Sequence, residues 1–204
     1  MGIDDNRGTE WLPDAIDREL AAQVAGQFES FLGAVRAIAA EGDSGSAVPL
    51  LLLEVSQVLL GGAQLGAHRD FRPIEEYQPD VGPEVDVDEF RLHLADLLGS
   101  VDTYSFVFDP YEPEVVISQI SDDLASVVAD VENGMRHYRR GDLAEALWWW
   151  QFSYVSNWGN LAGAVLNALI TIVSHDRLDS EFSGEADDVA AANEMLDEQA
   201  PSGR

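Results

Sequence analysis

Apolar residues recur at helical steps from Pro13 onward. Ile16, Leu20, Val24, Phe28, Phe31, Val35 and Ile38 fall three or four residues apart, one face of a long helix. Asp14 and Asp17 stand at its start, where the positive end of the helix dipole favours carboxylates. The run EGDSGS at 41–46 ends that pattern. Ser46 is the expected N-cap of a second helix, with Pro49 in its first turn. Residues 50–60 (LLLLEVSQVLL) are apolar nearly all round, which marks a helix buried on most sides. Gly61, Gly62 and Gly66 either loosen its end or admit a close crossing. Residues 68–85 hold three prolines and no sustained period, and read as a long ordered loop.

Asp86 and Glu89 have the spacing of a capping box, followed by Phe90, Leu94, Leu97 and Leu98 on one face and a stop at Gly99. Tyr104 to Pro113 (YSFVFDPYEP) is aromatic, acidic and twice interrupted by proline; it reads as a structured turn outside any sheet. Ser121 is the expected cap of a helix through Leu124, Val127, Val128, Val131, Met135 and Tyr138, with Ile120 closing a hydrophobic staple and Gly141 ending it. Asp142 and Glu145 repeat the capping pattern and open the longest helix, about 142–178.

That last helix carries 29 consecutive uncharged residues between Glu145 and His175. Its length would admit a membrane span. Gln151, Asn157, Asn160, Asn167 and the serines argue for the central helix of a bundle instead, since polar groups in lipid are costly. Leu147, Trp150, Tyr154, Trp158, Leu161, Val165, Leu169 and Ile172 form one apolar stripe, and Trp148, Phe152, Val155, Ala162, Leu166, Ile170 and Val173 a second beside it. The third face (Trp149, Ser153, Ser156, Asn160, Gly163, Asn167, Thr171, Ser174) is polar and uncharged. It is either a solvent face that satisfies its own hydroxyls or the wall of a ligand groove with Trp149 as aromatic platform. Five helices and no alternating strand predict an all-α, single-domain bundle of about five helices around a long Trp-rich helix. Residues 1–12 are expected to be a disordered N-terminal segment, 13–178 the helical domain, and 179–204 an acidic, mostly disordered tail.

Composition narrows the function classes. The absence of cysteine removes disulfides, thiolate zinc sites, iron–sulfur clusters and thiol nucleophiles. A formal charge of −27, with eleven arginines and no lysine, argues against nucleic acid and against anionic membrane surfaces. The acidity is not confined to the ends: residues 179–204 carry −7 and residues 1–19 carry −4, leaving −16 on 20–178. It is either a solubility feature or a face for a basic protein partner. Residues 1–12 show no basic-then-apolar leader, so a cytoplasmic location is expected.

Chemical signatures are sparse. His68, His93, His137 and His175 lack i, i+4 pairing, and no calcium-loop spacing occurs, so no metal or other cofactor is expected. No nucleophile elbow, phosphate loop or dinucleotide fingerprint is present, and no catalytic residue is assigned. The segment 134–150 (GMRHYRRGDLAEALWWW) is similar to one tetratricopeptide joint but has no second copy, so only its local turn is expected. Arg136, His137, Arg139 and Arg140 form the one basic cluster, suited to a helix C-terminus, to the chain's own acids or to an acidic ligand.

The stretches AVPLLLLEVSQVLLGGAQLGAH (47–68), YSFVFDPYEPE (104–114) and ISDDLASVVADVENGMRHYRRGDLAEALWWWQFSYVSNWG (120–159) resemble a mainly actinobacterial domain-of-unknown-function family, number 5063. The resemblance covers about residues 20–178 and implies a helical fold without an established reaction. It marks Asp109, Tyr111, Asp122, Asp123, Trp149, Asn157 and Trp158 as surface-defining positions for a ligand or partner. It also implies histidine in relatives where this chain has Asn157, which weakens a metal-ligating or proton-moving role there. Each of the seven has a plainer role as turn residue, cap or core aromatic. The leading expectation is a non-enzymatic module for a basic protein partner. The alternatives are a small-molecule-binding or metal-assisted enzyme using Asp109/Tyr111 and Asp122/Asp123, and a self-associating module.

Overall fold

The computed structural model describes residues 13–74 and 81–198, with side chains given as far as 178. The expected terminal segment 1–12 and the end of the expected tail, 199–204, lie outside the described residues, as do the side chains from 179 onward.

Asp14 caps the first helix, α1 (Ala15–Glu41). Its carboxylate accepts the Ile16 and Asp17 amides, and Asp17 returns the bond by accepting the Asp14 amide at 2.9 Å. This box satisfies donors that a helix start otherwise leaves bare. Val24, Phe28, Phe31, Val35 and Ile38 are buried as the period predicts. The second helix, α2 (Ser44–Gly66), begins two residues before the expected cap. Asp43 holds the N-cap position, and the Ser46 hydroxyl donates to its carboxylate at 2.5 Å. Pro49 therefore sits in the second turn, where its missing N–H removes one helical bond.

Among the described residues, α2 is long and apolar enough to cross a membrane by length and composition. Its Leu51, Val55, Val58 and Leu65 instead join the core against α1 and the last helix. Gly62 is what permits the second contact: a Cβ there would lie 2.5 Å from Trp158 Cη2. A close crossing is thus the role of this glycine, and the helix continues to Gly66.

The expected loop after α2 is held by one buried amide. Gln151 accepts the Phe71 N–H at 2.8 Å and donates to the carbonyls of Leu65 and Arg69. Helix α3 (Asp88–Leu98) then buries Leu94 and Leu98. The expected Asp86–Glu89 box does not form. Val87 occupies the cap position, and Asp86 accepts only the Asp88 amide.

The largest correction falls on residues 103–119. The expected turn is an antiparallel hairpin of β1 (Thr103–Asp109) and β2 (Glu112–Gln119). Tyr104, Phe106 and Phe108 alternate with Ser105 and Val107, a two-residue period. Pro110 and Tyr111 form the connection, and the Tyr111 amide donates to Asp109 at 2.8 Å in an Asx-type turn. Pro113 lies beside the tip, where the register slips between Val107 and Asp109. Both prolines therefore avoid the regular ladder, the placement that strands tolerate.

Helix α4 (Ile120–Arg140) starts one residue before the expected Ser121 cap. Gln119 makes no capping bond, and the first amides turn to Asp102 instead: Ile120 N–H to its carbonyl and Ser121 N–H to its carboxylate, each at 2.8 Å. The buried Ser121 hydroxyl adds a second bond to the same carboxylate. Gly141 ends α4 at φ +87°, a conformation open to glycine at little cost. This is the local turn expected from the tetratricopeptide likeness.

The longest helix departs from a single regular rod. It comprises α5 (Leu143–Ser153), a π turn at Tyr154–Trp158 and α6 (Gly159–Glu198), so it passes residue 178 without a stop. Asp142 makes no side-chain capping bond, and Glu145 accepts the Ile74 amide at 3.0 Å in place of a reciprocal box. Trp150, Trp158, Val165 and Leu169 are buried at the centre of the bundle. The second stripe is only partly covered, with Phe152, Val155 and Ile170 exposed. Counting the π-joined segments as one rod, the described residues form a single-domain, mostly all-α bundle of five rods with a small hairpin appended.

Candidate functional site

The hairpin is clamped to the bundle at its base and free toward its tip. At the base, the Tyr104 hydroxyl donates to Asp123 at 2.6 Å, two residues along α4 from the Ser121 that Asp102 holds. Burial pushes the Asp123 carboxyl up; bonds from Tyr104 and Ser118 oppose this, while the neighbouring Asp122 and Asp102 charges add to it. Burial and the same carboxylate also push the Tyr104 phenol up, so it stays protonated and donating. Toward the tip, Val107, Val115 and Ile117 share one face by register, and Val115 and Ile117 are 72 % and 74 % exposed. The opposite face carries Tyr104 stacked on Phe106 at 5.4 Å, with Phe108 edge-on beyond. Asp109, Glu112 and Glu114 surround the tip, and residues 102–119 contain no base.

A second concavity lies between α3, α4 and the loop at 83–87. It is a cleft of about 630 Å³ lined by Asp88, Arg91, Asp122, Asp130 and Asn133, among others. Arg91 reaches Asp122 at 3.3 Å and Asp88 at 3.9 Å. Asp130 receives Asn157 Nδ2 at 2.8 Å from the π turn, while burial pushes its carboxyl up. Such widened turns are frequent at functional sites. Asn157 lies within that turn.

The seven marked residues do not share one pocket. Asp109 and the 93 %-exposed Tyr111 sit at the hairpin tip. Asp123 is buried at the hairpin base, and Asp122 faces the cleft. A strand of seven residues, about 20 Å long, separates the two acid pairs. Asn157 backs the cleft through Asp130. Trp158 is fully buried, edge-on to Phe28 at 5.9 Å, and donates to the Ser153 hydroxyl; it is core and not surface. Trp149 lies half-buried, stacked at 6.3 Å on the buried His137 and edge-on to Trp148. Its Nε1 meets no acceptor among the described residues.

Five of the eight residues of the uncharged third face are exposed, and Ser156 of that face lines a groove of about 280 Å³ with Phe71, Trp148 and Gln151. Ser156, Thr171 and Ser174 each donate to the carbonyl four residues back and are exposed. The basic cluster serves the chain's own acceptors: Arg139 pairs with Glu132 and Glu29, Arg140 with Asp142, and Arg136 with the carbonyls of Val81 and Pro83. Among the described residues, no group of three or more acids or histidines could hold a metal ion.

Comparison with known proteins adds the family. The sequence profile of Domain of unknown function (DUF5063) matches residues 15–175. The chain belongs to the DUF5063 family. Among curated proteins, none matches it. Of solved structures, protein BF1032 from Bacteroides fragilis is similar at 19 % identity and a TM-score of 0.59, over 78 % of this chain and 92 % of that one. That likeness concerns the fold alone. Sequence reasoning missed Tyr104, Asp130 and the exposed Val107, Val115 and Ile117. The run Val115-Val116-Ile117 was the available signal, because consecutive β-branched residues favour strand.

Proposed function

We propose that this DUF5063 protein is a non-enzymatic binding module whose hairpin takes up an extended, basic segment of a protein partner. The observation that carries the reading is the free end of the hairpin: an exposed apolar face of Val107, Val115 and Ile117 with a rim of acids and no base. Two-stranded ribbons are marginal alone, and exposed strand edges invite pairing. β1 carries no proline, packs against α6 and pairs with β2 alone, so its outer edge has no strand partner and could accept one. Alternate apolar side chains of that strand would lie beside Val107 and extend the exposed face, and arginines or lysines would meet Asp109, Glu112 and Glu114. Tyr111 at the tip is an aromatic anchor of the kind that concentrates interface energy. Asp123 and Tyr104 act at a distance by holding the ribbon at a fixed angle.

Isothermal titration with a synthetic peptide alternating valine and arginine tests this. The peptide binds, its affinity falls as salt rises, and replacing Asp109, Glu112 and Glu114 by their amides flattens that salt dependence. Val107→Lys on β1 abolishes binding, and Val115→Lys on β2, one strand further from the peptide, weakens it less. Affinity indifferent to salt and to these substitutions, or no binding at all, refutes the proposal.

A further inference from the structure

The cleft between α3 and α4 contains a carboxylate that the chain itself leaves half-satisfied. Asp130 is partly buried on α4, and its Oδ2 accepts the Asn157 amide at 2.8 Å. Its Oδ1 has no donor and the group has no arginine partner among the described residues. Other acids withdrawn from water are treated differently: Arg69 pairs with Asp17 at 2.7 Å, and Arg36 and Arg139 pair with Glu132 at 3.3 and 2.7 Å. A carboxylate drawn out of water is costly unless a cation or several donors answer it, and a cation arriving from outside removes that cost.

Asp130 opens onto about 630 Å³ of cleft. Asp122 lines the same cleft eight residues earlier on α4, about 12 Å along the helix axis. Ala125 and Ala129 form an apolar floor between the two acids, and Val85 and Val87 line the other side. Arg136 fixes that far wall through the carbonyls of Val81 and Pro83, so the cleft is formed in advance of any ligand. Four acids of the lining, Glu84, Asp88, Asp122 and Asp130, stand against one base, Arg91, a balance of −3. Arg91 is already engaged at one end of the cleft, with Asp122 at 3.3 Å and Asp88 at 3.9 Å.

We propose that this cleft binds a linear aliphatic polyamine, one ammonium group on Asp130, another at the Asp88–Asp122 end, and the methylenes between them over Ala125 and Ala129. Each part of the lining disfavours a competitor. A metal ion needs its ligands converged on one point, and among the described residues no three acids or histidines converge. An anion meets the negative balance of the lining. A compact cation leaves the apolar floor uncovered, whereas charges separated by methylenes match acids separated by alanines. The cleft is built from α3, α4 and the loop before α3, so the proposal does not rest on the hairpin reading.

Isothermal titration of the full chain with spermidine at near-physiological salt tests it, with melting midpoints read alongside. Spermidine saturates a single site, and butylamine, with one ammonium group, binds about tenfold or more weakly for want of the second charged contact. Asp130→Asn weakens spermidine by about tenfold as well, and because it removes a desolvated charge the fold survives it. Ala129→Leu fills the floor at constant charge and also weakens binding. Glu19→Gln, at an exposed acid of α1 outside the cleft, leaves the affinity unchanged and separates the site from the general attraction of a −27 chain for cations. No binding overturns the inference, as does an affinity indifferent to Asp130→Asn and Ala129→Leu. Displacement of spermidine by magnesium at equal ionic strength reduces it to counterion association and overturns it. Displacement by the valine–arginine peptide assigns the cleft to a partner's side chains and overturns it too.

Discussion

Gly134→Ala adds one methyl group to α4 at its tightest contact. The new Cβ would stand 2.8 Å from Trp150 Cε2 and closer still to Cδ1 and Nε1. Trp150 cannot yield cheaply. It is fully buried, edge-on to Phe28 at 5.3 Å, and its Nε1 donates to the Val131 carbonyl at 3.1 Å. Forcing a buried side chain aside costs about 1–3 kcal/mol, and losing the indole hydrogen bond adds about 1 kcal/mol. Alanine's better helix propensity returns about 1 kcal/mol. The net is a destabilisation of about 2 kcal/mol, which for a chain of this size lowers the melting midpoint by about 4–8 °C. Urea denaturation with tryptophan fluorescence reads both the stability and the indole environment. Gly26→Ala is the matched control, since its Cβ meets open space and it gains only the propensity. If Gly134→Ala were as stable as that control, the close seating of Trp150 on α4 would be refuted.

Gln151→Leu removes three hydrogen bonds at once, taking the side-chain acceptor from the Phe71 amide and a donor from the carbonyls of Leu65 and Arg69, of which Leu65 keeps the His68 N–H at 3.1 Å. It costs about 2–4 kcal/mol, as lost buried partners do, and speeds amide exchange at Phe71 more than in α4; uniform exchange would contradict the clamp. Asp130 supplies a pH test. Its folded-state carboxyl is held above the ordinary 3.8 by burial, with Asn157 opposing. Such a group binds protons on folding, so its penalty is full above the raised value and vanishes below 3.8. Asp130→Asn therefore raises the melting midpoint at pH 7 and leaves it unchanged at pH 3. A gain that persists at pH 3 argues against ionisation as its source.

The helices were legible wherever one face alone was apolar. Val24 to Ile38 mark α1 because burial there follows a 3.6-residue period. Helix ends were less legible, because the group that satisfies an end need not be the residue of the right type at the right spacing. Ser121 has the chemistry of a cap, yet Asp102, distant in sequence, binds its amide and its hydroxyl together. Asp86 and Glu89 have the spacing of a box, yet only the Asp86 bond forms. The hairpin was hidden by reading each proline as a barrier without asking whether it stood at a turn. The π turn has no marker in composition at all. The marked residues scatter for a similar reason: conspicuous aromatics such as Trp158 serve the core, whereas exposed valines carry the candidate surface.

Hydrogen exchange over residues 103–119, with and without the valine–arginine peptide, tests the binding account most directly. The account predicts slowed exchange along β1 up to Asp109, with the α3–α4 cleft unchanged. Protection appearing at Asp122 and Asp130 while β1 stays open would contradict it and move the binding site into the cleft.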